Sequence, residues 1–475
     1  MGSGTERSDR AAAAKAPRMK KRITGDSNVS IVDKSISSAN KPCPWFALTE
    51  TLRLVNRTGS FDVMSTNRHF SLDALRGFAL IGILLMNIIA FSMPMSAYIN
   101  PAAWGGSSPA DMISWAVAFI MVDGKMRGLF SIMLGASMLL ILERAKARGN
   151  APWPLHVRRM AWLFVFGMAH YILIWEGDIL AHYALCGLIA YGFHAASEKR
   201  LAAVGMALIT VNLLIWTLIL WTAHVMQAEA SASNLADAKD QFAIMLDALG
   251  APGGASIAHD LYLYRGSYPD MVTARLADVI PAQFTMMFGF GAETTGLMLL
   301  GMALYKSDAL TGGWSRQKMR RWAVSSYLFG LPISAFLAWK IYTAGFEPLL
   351  TASLVYFGHT PARLAVTIGH LMLLLLIVTR PTPGPFLQKI AAAGRVAFSN
   401  YILTSLVMTF IFYGYGGGLF GHVTRAQAYL LTIPMFAVMI TWPQPWLRGH
   451  HYGPLEWLWR SLSQGRRMPL RIRSS

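Results

Sequence analysis

The sequence predicts an all-α, polytopic membrane helix bundle of about ten transmembrane helices. Three observations carry this. Of 475 residues, 54% are hydrophobic and only 14% are charged, where a soluble domain carries about 25% charged residues; the mean hydropathy is +0.41. Apolar runs recur along the chain at lengths near the ~20 residues that a helix needs to cross the hydrocarbon core. Basic residues cluster in short segments between alternate runs, as the positive-inside bias requires.

The net charge of +18 therefore reads as topology signal and anionic-lipid contact. No basic-aromatic platform or zinc spacing supports nucleic-acid binding. Cys43 and Cys186 form neither a disulfide framework nor a metal motif.

Taken in order, residues 1–66 are polar and basic without an apolar h-region. They predict a disordered cytoplasmic tail, with Met64 as an alternative start. The integral domain covers residues 67–470. Its first span ends at Phe91 and opens with Asp73 and Arg76, spaced i,i+3; Asn87 is its one amide. SMPMSAYINPAAWGGSSP has no Lys or Arg and falls outside. Asp111–Val122 is expected to be interfacial or re-entrant, with the second span starting near Met126. That leaves Asp123, Lys125 and Arg127 near the outer surface. ERAKARGNAPWPLHVRR lies inside. Spans three and four, Met160–Trp175 and Ile179–His194, flank a tight outer turn at Glu176, Gly177 and Asp178. Span five is Leu201–His224. Residues 225–280 predict an acidic extracytoplasmic cap. Spans six to ten are Pro281–Tyr305, Trp322–Tyr342, Ala362–Val378, Val396–Tyr413 and Ala426–Trp442. The glycine-rich YGYGGGLFGH is an outer turn, HYGPLEWLWRSLSQG an interfacial helix, and residues 471–475 a basic tail. Both termini are expected to be cytoplasmic, in the inner (plasma) membrane.

Ionisable groups near a bilayer core pair or line wet cavities. By depth they form an inner group, Asp73, Arg76, Arg395, Asn400, Glu456 and Arg460, and an outer group, Asn87, Lys125, Arg127, His170, Asp178, His182 and Arg275. Guanidinium suits phosphate, so Arg76, held by Asp73, with Arg395, Asn400 and Arg460 is the candidate donor site; a plain ion pair orienting the helix end is the simpler alternative. His170 is the side chain best suited to general-base work near neutrality, and Asp178 can orient it; a structural histidine explains the same residue. Lys125 or Arg127 would stabilise an oxyanion. Asn87, His182 and Arg275 are candidate substrate contacts, Asn87 with a helix–helix hydrogen bond as its alternative. No G-x-S-x-G, H-E-x-x-H or Walker A string occurs.

Several strings resemble the YeiB-type family of bacterial multi-pass membrane proteins, a domain of unknown function (DUF 418). They are LDALRGFALIGILLMNI, DGKMRGLFSIMLGAS, RRMAWLFVFGMAHYILIWEGDILAHYAL, RGSYPDMVTARL, GRVAFSNYIL and YGPLEWLWRSL, which together cover about Arg68 to Leu470. The opening motif is similar to those of transmembrane acyltransferases, in one type of which a histidine stands near the place of Asn87. The resemblance implies an acyltransferase-like fold and transfer of an acyl group across the membrane. The expected function is an O- or N-acyltransferase with acyl-CoA as co-substrate and no tightly bound cofactor or metal. The alternative is a transporter or lipid-handling protein without covalent chemistry. Membrane lipids are the expected partners, nucleic acid is not, and a homo-oligomer is left open.

Overall fold

The computed structural model describes residues 70–232, 236–379 and 382–472. The tail 1–66, Met64 and residues 473–475 lie outside the described residues. The rest is helical; among the described residues the only β contact is an isolated bridge between His450 and Arg471.

The helices are α1 (Phe70–Ser92), α2 (Ser96–Ile99), α3 (Pro109–Met121), α4 (Lys125–Ala147), α5 (Pro152–Leu173), α6 (Leu180–Tyr191), α7 (Glu198–Ala232), α8 (Ala236–Ala248), α9 (Ala255–Arg265), α10 (Tyr268–Lys306), α11 (Arg316–Thr343), α12 (Pro348–Ser353), α13 (Thr360–Val378), α14 (Pro385–Arg395), α15 (Ala397–Phe412), α16 (Arg425–Thr441), α17 (Pro443–Gly449) and α18 (Pro454–Gln464). Local sequence sets their starts. Ser108 and Asp111 close a capping box on α3, with Pro109 at the first turn; Thr424 and Gln427 do the same on α16.

Among the described residues, seven helical rods are long and apolar enough to cross a membrane, and an eighth is added if α14 and α15, bent by 85°, count as one. Two of the ten expected spans fall short. Span four is α6, with 12 residues, and span three is α5, whose first half is diluted by His156, Arg158 and Arg159. The expected re-entrant piece is instead the first part of a 39-residue rod, Pro109–Ala147. The acidic cap is smaller than expected: α7 runs on to Ala232, α10 begins at Tyr268, and among the described residues α8 and α9 are the helices between them. Pro281, expected to open a span, is interior to α10.

The rods differ in burial. The apolar windows of α1 and α10 are 72% buried, that of α7 only 22%. Leu214, Leu218 and Trp221 on α7, and Leu328, Phe336 and Trp339 on α11, are exposed. Apolar faces this continuous are wetted by lipid, not water. Inside, α4 and α10 cross at backbone contact. A Cβ on Gly301 would lie 1.9 Å from Ile132 O, and one on Gly135 2.0 Å from Met298 O. Small residues permit such approaches between helices in lipid. Gly301→Val is therefore expected to destabilise by about 1–3 kcal/mol, read as a lower unfolding temperature in detergent; an unchanged temperature would show that the two helices can part freely.

Candidate functional site

At the basic end of the bundle the start of α1, α4, the starts of α5 and α15, and α18 line a cavity of about 200 Å³. Four arginines line it: Arg76, Arg159, Arg395 and Arg460. Away from them the wall is apolar, with Leu80, Ile83, Phe130, Leu134 and Leu163. The lining is thus amphiphilic, cationic in one part and greasy elsewhere.

Each guanidinium is held mostly by neutral groups. Arg76 Nη1 pairs with Asp73 Oδ1 at 2.7 Å, and Nη2 donates to Ser137 Oγ at 2.7 Å. Arg159 stacks over the Trp459 ring at 4.2 Å, while the Trp459 indole N–H donates to Arg159 O at 2.9 Å. Arg460 stacks over Tyr452 at 4.7 Å, and Arg395 Nη2 donates to His451 O at 3.4 Å. Burial, with the like charge of Arg76 in the same direction, draws Arg460 below the ordinary arginine range.

Glu456 explains why α18 stays as the floor of this cavity. The bend at Val396 leaves the first N–H groups of α15 without helical partners. Glu456 Oε1 accepts from Phe398 N at 2.7 Å and Ser399 N at 3.0 Å, and Oε2 accepts from Ser399 Oγ at 2.6 Å. The C-terminal helix therefore caps α15 in trans. Glu456→Ala is expected to cost about 1.5–3 kcal/mol, the range for a charge-assisted bond, and to raise hydrogen exchange in α18 selectively. Equal protection of α18 in the variant and the parent would contradict this.

Asn400 does not reach the cavity. Its Nδ2 donates to Met439 O at 3.1 Å and its Oδ1 accepts from Trp442 Nε1 at 2.7 Å. It fastens α15 to α16, which is why a buried amide was mistaken for a donor-site group.

Ile179, Leu180, Tyr183 and Tyr401 also line the cavity. The His170 ring lies 5.0 Å from that of Tyr401 and does not line the cavity. His170 Nδ1 is 2.9 Å from Asp178 Oδ1, and Asp178 Oδ2 accepts from Ala181 N at 2.9 Å, capping α6. Gly167 permits this crossing, since its Cβ would lie 2.2 Å from Ala181 N. With Asp178 accepting Nδ1–H, the lone pair falls on Nε2. His170 Nε2 and the nearby Trp175 Nε1 are both buried without a partner among the described residues, with ring centroids 6.3 Å apart.

The remaining expected residues lie elsewhere. Lys125 Nζ donates to Phe119 O and lies 3.1 Å from His359 Nε2. It closes the C-terminal end of α3. Arg127 pairs with Glu293 at 3.0 Å, and Arg363 pairs with the other oxygen at 2.8 Å. Neither Lys125 nor Arg127 bonds to His170, because carbonyl and carboxylate partners nearer their own helices hold them. His182 Nε2 sits 2.9 Å from Thr294 Oγ1. Arg275 Nη1 donates to Ile174 O at 3.1 Å beneath the rings of Tyr264 and Tyr413. Asn87 is half-buried, with no hydrogen-bond partner among the described residues. The sequence reading missed Arg159, counted as a loop charge, and Glu293. Glu293 had a usable signal, as the lone acid in the apolar run GFGAETTGLML.

In the turn between α5 and α6, Glu176 accepts from the Tyr264 hydroxyl. Burial, reinforced by the Asp260 charge, pushes its carboxyl from 4.5 up to about 7. The folded state then holds the proton more tightly than the unfolded chain. The stability this gives is complete below pH 4.5 and lost as pH rises through about 7. The unfolding temperature is expected to fall across that window and Glu176→Gln to flatten the dependence; a parent profile already flat there would contradict it.

Comparisons with known proteins give a family and three relatives. Residues 304–466 match the family described as "Protein of unknown function (DUF418)". The chain is 29% identical over 401 residues to "Uncharacterized protein YeiB" of Escherichia coli (strain K12), covering 83% of this chain and 96% of that protein. It is 30% identical over 416 residues to "Uncharacterized protein YxaH" of Bacillus subtilis (strain 168), covering 82% and 92%. A third relative, "Uncharacterized 39.9 kDa protein in amylase 3'region" of Bacillus acidopullulyticus, is 24% identical over 409 residues, 85% and 96% of the two chains. The chain belongs to the YeiB-type DUF418 family.

Proposed function

We propose that this protein is a membrane-embedded acyltransferase whose donor, an acyl thioester of the acyl-CoA type, occupies the four-arginine cavity. The carrying observation is the lining itself: Arg76, Arg159, Arg395 and Arg460 suit phosphates, and the apolar wall suits an acyl or pantetheine chain. The basic segments Arg144–Arg148 and Arg316–Arg321 favour placing this end in the cytoplasm of the inner membrane, where such donors are made. His170 Nε2 would take the proton from an acceptor hydroxyl or amine; the acceptor would attack the thioester carbonyl, the C–S bond would break, and the proton would pass to the leaving thiolate. Asp178 would keep the imidazole in the required tautomer. Trp175 Nε1–H is the unengaged donor beside His170 and is better supported as the oxyanion group than Lys125 or Arg127.

Tyr401 stands between His170 and the cavity, so transfer requires that ring to swing aside. The same placement favours a second reading, in which the cavity holds an anionic lipid and no bond is made. Mass spectrometry of envelope lipids and glycans from cells carrying His170→Asn separates the two. Loss of an acylated product, with acyl-CoA binding retained, supports transfer. An unchanged acylation profile beside the parent's removes it.

A further inference from the structure

A second group of uncommitted polar side chains lies along the rod from the arginine cavity, where α3 breaks into α4. Asp123 stands at the break, half-buried, and its carboxylate makes no hydrogen bond or ion pair among the described residues. Lys125, Arg363 and Arg425 surround it electrostatically without pairing to it. Arg425 is 3% exposed; its Nη2 donates to Ala97 O at 2.8 Å, while its Nε is buried with no partner. Tyr98, Tyr356 and Tyr429 share the neighbourhood, and none of their hydroxyls has a partner among the described residues.

Buried polar groups are nearly always satisfied. Arg425 Nε is the fully buried one; the Asp123 carboxylate and the three phenols are half-buried and open around it, brought in by α2, the α3–α4 break, the turn before α13 and α16. The unpaired carboxylate opposes an anionic guest. The charges of Lys125, Arg363 and Arg425 oppose a cationic one. What fits is a neutral guest that both donates and accepts.

We propose that this cluster binds a neutral, polyhydroxylated small molecule, whose hydroxyls donate to Asp123 and accept from Arg425 Nε and the tyrosine hydroxyls. This site does not depend on what fills the arginine cavity. The test uses purified full-length protein in detergent, with glucose, trehalose, myo-inositol and N-acetylglucosamine as probes of thermal stability. At least one probe is expected to stabilise the parent saturably. Asp123→Asn should weaken that binding by ten- to a hundredfold, and Tyr429→Phe, which removes one hydroxyl, by up to about tenfold. If Asp123→Asn does not fold, Tyr429→Phe and Tyr98→Phe decide the matter. No response to any of the four probes overturns the proposal. So does a response undiminished in the folded variants, or one to inorganic phosphate or ethanolamine alone. Acyl-CoA binding by the same samples tests the cavity separately.

Discussion

Glu293→Ala is expected to cost about 3–5 kcal/mol of stability, the range for removing one partner of a buried ion pair. Arg127 and Arg363 share the Glu293 carboxylate, one on each oxygen, and all three side chains are nearly buried, at 12%, 11% and 8% exposure. Removing the acid leaves two cations facing one another where lipid, not water, surrounds the bundle. Two neighbouring acceptors are already engaged: Asn212 Oδ1 accepts from the Glu293 N–H at 3.3 Å, and Gly289 O accepts from Trp216 Nε1 at 2.9 Å. Gly124 matters to the same triad. It is left-handed at φ 71°, and a Cβ there would lie 2.3 Å from Arg363 Cδ. Yield and unfolding temperature in detergent check this prediction. Glu293→Gln should lose less, since an amide still accepts. A fully stable Glu293→Ala protein would mean that the arginines have other partners.

The second large effect is expected at the cavity. Arg76→Ala with Arg159→Ala should weaken acyl-CoA binding by at least a hundredfold, about 2.7 kcal/mol at 1.4 kcal/mol per decade. Charge-assisted bonds to phosphate are worth about 1.5–3 kcal/mol each. Arg76→Lys should recover part of the loss, whereas a fold defect would not discriminate between alanine and lysine. Isothermal titration in detergent reads both. The Asp73 and Ser137 contacts matter here because they fix the Arg76 fork before the ligand arrives.

Much of the architecture is legible in the chain because hydropathy is a local property. α1, α7, α11, α13 and α16 read directly as apolar runs. α5 and α6 fall short of the expected spans because α6 has only 12 residues and His156, Arg158 and Arg159 dilute the first half of α5; hydropathy does not mark where a helix stops inside an apolar run. The α3–α4 rod was under-read because Asp123, Lys125 and Arg127 looked too polar to be within a helix; His359 and Glu293, which hold Lys125 and Arg127, lie far along the chain. The same reason hid Arg159. A basic residue in a loop-like string and one aimed into a cavity look alike until Trp459, three hundred residues away, closes over it. Asp178 beside His170 was visible because only a short turn separates them.

On the proposed reading, the arginines recognise phosphate while the apolar wall takes the chain. Equilibrium binding of two ligands to the purified protein tests it most directly: an acyl-CoA, and the same acyl group on pantetheine, which lacks every phosphate. Saturable binding of the first, with the second weaker by at least a hundredfold, is the predicted result. Equal binding of the two, or none of either, would contradict it.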